Sequence, residues 1–170
     1  MGSLFLWAVL LVLLVALPFG ALALGGYGVG NLLWALGRTG AGRSAGLRGA
    51  AGVLGGVAVG LYAWGLLHVG GAVLDAEDGG AWSSPLPPCR SAVPPERAAG
   101  VVDYGVGFAP LRFVCETRGG GGYDAEVVPG YVNGGTLAAG LAAGACAVGA
   151  GRAGGARYAP GRVSRGTMSP

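Results

Sequence analysis

Polar positions disappear from this chain for long stretches and return in blocks. From Ser3 to Leu36 there is no Asp, Glu, Lys, Arg or His, and the densest part, Ser3 to Leu24, is hydrophobic on every side. A helix of that kind has no polar face to turn toward water, and about 20 such residues cross a bilayer. Two weaker apolar runs, Gly49 to Leu74 and Tyr131 to Ala150, contain no Asp, Glu, Lys or Arg. The pattern predicts three transmembrane helices.

Between the second and third runs the period changes. Tyr104, Val106 and Phe108 alternate with Gly105 and Gly107, then Leu111, Phe113 and Cys115 alternate after Ala109-Pro110. Four glycines at 119 to 122 mark a turn, and Tyr123, Ala125 and Val127 alternate once more. These are the marks of a two- or three-stranded antiparallel meander. The lead-in GGAWSSPLPPCRSAVPPERAAG carries five prolines and is expected to be irregular, a covering loop. The fold class expected is an all-helical membrane protein with three transmembrane helices and a small β-rich extracytoplasmic insert.

The chain divides accordingly. Residues 1–37 hold the first helix plus a Gly-rich interfacial segment, 38–48 a basic cytoplasmic loop, and 49–74 the second helix. Residues 75–130 form the insert, 131–151 the third helix, and 152–170 a disordered basic tail. The first run also allows a signal-peptide reading, with Ala21 and Ala23 as an A-x-A site, but nothing basic precedes its apolar core. Pro18 is tolerable inside a membrane helix when neighbouring groups satisfy the freed carbonyl. Trp7 and Trp34 lie roughly 40 Å apart along one continuous helix. The preferred reading ends the helix near Leu24, because Gly25, Gly26, Gly28 and Gly30 weaken its continuation. Tyr27, Asn31 and Trp34 then sit on an interfacial turn.

Composition adds sidedness. All eleven basic residues are Arg, and all eight acidic residues fall between Asp75 and Glu126. Arg38, Arg43 and Arg48 occupy the first connector; Arg152, Arg157, Arg162 and Arg165 occupy the tail. Basic residues near membrane ends stay inside, so connector and tail are expected in the cytoplasm, at the membrane surface. The insert and the N-terminus then lie outside, in a multi-pass protein of the cell membrane. The arginines flank the spans and no aromatics interleave them, which speaks against nucleic acid as a partner.

Cys89 and Cys115 are the only cysteines of the insert, which is too small for a large core of its own. On the outer side they are expected to pair. Closing that loop contributes on the order of 3 to 4 kcal/mol by chain entropy. Cys146 reads as a small apolar filler in the third helix. Gly52, Gly56 and Gly60, and likewise Gly140 and Gly144, recur every four residues, a spacing that lets another helix backbone approach closely. Tyr104, Phe108, Phe113 and Tyr123, with Tyr131, are more aromatics than one thin sheet face needs; some are expected to pack on the membrane surface, against the Trp82 loop or on a partner, and the first four mark an expected partner surface.

Chemistry-bearing constellations are missing. His68 is the only histidine and lies in a membrane segment, so it reads as a residue bonded to a neighbouring helix or water. Asp75, Glu77 and Asp78 read as a solvated helix exit. No Ser-His-Asp group or metal-ligand spacing can be assembled, the chain has no lysine for a phosphate loop, and GGYGVG at 25–30 follows no strand. No metal, cofactor or catalytic residue is expected. The lipid bilayer is the expected partner, together with self-association or a membrane protein complex. The function expected is that of a non-catalytic structural or accessory component presenting a small docking domain. The alternative is a small transporter or channel-like subunit acting as an oligomer.

Overall fold

The computed structural model describes residues 2–37, 42–78, 86–90 and 92–155. Arg38, the Trp82 loop, Arg157 and the rest of the tail from residue 156 lie outside the described residues. The elements in chain order are α1 (Gly2–Leu36), α2 (Arg43–Glu77), α3 (Pro87–Arg90), α4 (Pro95–Ala98), β1 (Val101–Phe108), β2 (Leu111–Thr117), β3 (Gly122–Asp124) and α5 (Gly130–Gly155). Among the described residues, three helices are long and apolar enough to span a membrane. A small three-stranded sheet is inserted between the second and the third.

α1 does not stop at Leu24. It runs unbroken to Leu36, through Pro18 and all four glycines that were expected to end it. Packing outweighs their weak propensity: a Cβ on Gly52 of α2 would sit 2.7 Å from the Cα of Gly28. One on Gly56 would sit 2.9 Å from the Gly25 nitrogen and the Ala21 carbonyl oxygen. The two backbones touch because neither side chain exists. Gly60 is looser, with Ala21 Cβ 4.0 Å from its Cβ position.

α2 is likewise longer than its apolar run. It starts at Arg43, so Arg43 and Arg48 stand on its first turns and not in a loop, and it ends at Glu77 with Asp78 N donating to Leu74 O. α5 continues through Arg152, which sits in its last turn where the helix dipole favours a cation. Gly140 and Gly144 have open space where a Cβ would be, so they pack on nothing among the described residues. α5 meets α2 elsewhere: Gly149 beside Leu47, Gly135 beside Leu61, and Val132 against Gly65.

Those pairings set the levels. α5 begins beside Gly65, and α2 rises about 18 Å further to Glu77. The sheet and the first half of α1 flank that upper part of α2. α1 and α2 are each about 52 Å long against about 39 Å for α5.

The insert's lead-in is not wholly irregular. α3 and α4 are single helical turns, each opening on a proline, whose missing N–H is no loss at a helix start. The sheet order is β1-β2-β3, antiparallel throughout, with Tyr104 opposite Cys115 and Val106 opposite Phe113. Leu111, Phe113 and Cys115 of β2 all point inward and are buried. Their core is continuous with Leu66, Val69 and Val73 of α2 and reaches Leu10 of α1. β3 ends sooner than its alternation predicts. Glu126 takes φ 51°, its amide is held by Asp124 Oδ1, and the chain turns down toward α5 before Val127 can join the sheet.

A methyl group at Gly52 has only backbone to push against. Gly52→Ala is expected to cost about 1–3 kcal/mol through forced separation of α1 and α2. Gly140→Ala, facing open space, is expected to be neutral or to stabilise by up to about 1 kcal/mol. Thermal unfolding of the two variants in one detergent compares them.

Candidate functional site

The place where the insert meets the helices is the most elaborated part of the molecule. At the hairpin tip, Asn133 of α5 accepts from Leu111 N at 3.0 Å and donates to Leu111 O at 2.9 Å. One side chain thus serves both backbone groups of a strand end, as a neighbouring strand would. Tyr62 of α2 donates to Phe108 O at 2.7 Å. Trp64 Nε1 donates to the Tyr131 hydroxyl at 3.1 Å, tying α2 to the first turn of α5. At the far end of the sheet, Tyr104 donates to Glu77 Oε1 at 2.6 Å. The insert is fastened along about 22 Å of α2, from Tyr62 to Glu77.

Cys89 and Cys115 form a disulfide, with Cα atoms 6.0 Å apart. It joins α3 to the central strand, and Tyr123 reinforces the joint by donating to Cys89 O at 2.8 Å. Cys146 is free and half-buried.

These contacts redirect the aromatic residues. Phe113 is fully buried and stacks on Tyr104, with ring centroids 5.1 Å apart. Tyr104, Phe108 and Tyr123 are half-buried and pack against the same core. The four residues read from the sequence as a partner surface therefore line the inside of the insert. The alternation that placed them on one face was real, but that face turns to α2. Burial, then the bond to Glu77, raises the Tyr104 pKa above its ordinary value. Burial also raises that of Tyr123, against a smaller opposing effect of Arg97.

Among the described residues, the contacts of His68 lie within its own helix. Its Nδ1 donates to Trp64 O, one turn back, and its ring meets Trp64 edge-on at 4.8 Å. Asn31 likewise bonds within its own helix, donating to Tyr27 O. Asp75, Glu77 and Asp78 are exposed at the helix exit. Among the described residues, no three His, Cys, Asp or Glu side chains converge on a point where a metal ion would fit.

Aromatic side chains gather at two levels along the helices. Tyr62, Trp64 and Tyr131 stand at the mouth of α5; Tyr27 and Trp34 stand at the other end beside Ser44 and Arg48. From Ser44 to Trp64 is about 30 Å along α2, the thickness of a hydrocarbon layer. Above the upper level stands a surface that sequence reasoning missed. Leu4 (79 % exposed), Phe5 (71 %), Leu11 (60 %) and Val12 (65 %) of α1 lie open at the height of the insert. The run was visible in the sequence, but its height was not, because it depends on which residues of α2 it meets: Leu14 lies beside Gly70.

No protein-family model, curated protein or solved structure matches this chain.

Asn133→Ala leaves the Leu111 amide and carbonyl unpaired in a half-buried place, at a cost of about 1–3 kcal/mol. Hydrogen exchange at the Leu111 amide is expected to accelerate most. Because the folded-state pKa of Tyr104 is raised, its contribution to stability is fully present below about pH 10 and fades as the pH climbs through the raised value. Tyr104→Phe is expected to flatten the alkaline loss of stability seen in pH-dependent unfolding.

Proposed function

We propose that this protein is a non-catalytic structural or accessory component of a membrane assembly. Its insert stands outside the cytoplasm, and its α1 ridge packs on a second copy or on another membrane protein. One observation carries the reading: the most apolar stretch of the chain, Leu4 to Val15, rises beside a charged insert. All eight carboxylates of the adjoining region are exposed and demand water. A ridge that shuns water at a height where its neighbours require it calls for a protein cover.

The sidedness of the reading rests on charge. Arg43, Arg48 and Arg152 share one end of the helices, while the acids share the other. Short basic flanks are retained in the cytoplasm, which puts the N-terminus and the disulfide outside, where oxidation is allowed. Support for the channel-like alternative is thinner. Asn31, His68 and Asn133 spend their hydrogen bonds on backbone and do not line a shared path.

A photo-crosslinking side chain at position 12 is expected to give adducts of protein mass in intact membranes, while one at Leu141 on the open face of α5 gives lipid adducts. Lipid adducts alone at both positions would remove the assembly reading. Impermeant thiol reagent outside sealed cells is expected to label Cys89 and Cys115 only after reduction; labelling from the cytoplasm alone would reverse the sidedness.

A further inference from the structure

We infer that the crevice between α1 and α5, at the arginine-bearing end of α2, holds one anionic phospholipid. Two hollows meet there and share Tyr27 and Arg48. The deeper, about 390 Å³, is walled by Leu24, Ala51, Gly52 and Ala147. The outer, about 640 Å³, is walled by Asn31, Trp34 and Ser44. Along α2 the change from Gly52 to Ser44 takes about 12 Å, the passage from acyl chain to headgroup depth.

Charge selects the occupant. Every Asp and Glu of the chain lies between residues 75 and 126. Asp75 is about 40 Å from Arg48 along α2, so no carboxylate of these helices neutralises that guanidinium. Arg43 opens the same helix and Arg152 stands in the last turn of α5, where Gly154 approaches Arg48. A guanidinium grips two phosphate oxygens at once, and a basic hollow between spans suits an anionic headgroup. The apolar inner wall requires that the phosphate carry acyl chains. The proposal stands apart from the assembly reading, because it uses the opposite end of the molecule.

The 170-residue chain, in detergent with equal phosphatidylglycerol and phosphatidylcholine, is to be weighed by native mass spectrometry. One phosphatidylglycerol is expected to be retained on the order of tenfold better than phosphatidylcholine. Arg48→Gln is expected to abolish the preference. Ala147→Phe, which fills the inner hollow and leaves the charge alone, is expected to lose the bound lipid with the thermal midpoint unchanged. Equal retention of the two lipids, an undiminished preference in either variant, or displacement of phosphatidylglycerol by millimolar inorganic phosphate would each overturn the assignment; the last would mean a bare anion site.

Discussion

The structure depends on α2 being bare where its neighbours arrive. At Gly52 and Gly56 the α1 backbone occupies the space a side chain would need, and at Gly65 it is Leu111 and Val132 that do so. Between membrane helices there is little hydrophobic drive for association, since lipid is as apolar as a leucine side chain. Closeness must be gained through van der Waals contact, and contact of backbone on backbone is available only without Cβ atoms. One helix therefore receives α1, α5 and the hairpin, and those three elements are placed through it.

The same arrangement explains how so small an insert is held. A meander of three short strands has too little core to stand alone. Here its inner face lies against Leu66, Val69 and Val73, so α2 supplies the missing half of its core. The disulfide fixes the lead-in, and Asn133 fixes the tip to the helix that follows. The insert cannot swing without pulling on α2 and α5 together.

Much of this was legible in residue order. The three helices, the meander and the pairing of Cys89 with Cys115 follow from patterning and from there being no other cysteine nearby. What was not legible is tertiary. Gly25 and Gly28 read as helix breakers because propensity is counted one chain at a time, whereas their backbone is the surface on which Gly56 and Gly52 pack. Asn133 read as a polar residue near a helix start; its service to Leu111 depends on a hairpin tip arriving 22 residues earlier in the chain. Phe113 read as a surface aromatic because alternation identifies a face without saying what covers it. Gly140 and Gly144 show the converse: the same four-residue spacing meets open space among the described residues of this chain.

The unequal lengths of the helices bear most on function. A protein that needed only to anchor its insert would match all its spans to the bilayer. α5 is the shortest of the three, with the Trp64–Tyr131 pair at its start and Arg152 in its last turn. α1 instead places its least polar half at the height of the insert and its Gly-rich half against Gly52 and Gly56 of α2. Tilting does not remove the conflict, because α1 and the charged insert are both fixed to α2: sinking Leu4 and Phe5 into hydrocarbon takes Glu77 and the Tyr104 end of the sheet down with them. Burying those carboxylates costs far more than covering a leucine ridge with protein. Among the described residues the α1 ridge thus stays open at the height of a charged insert.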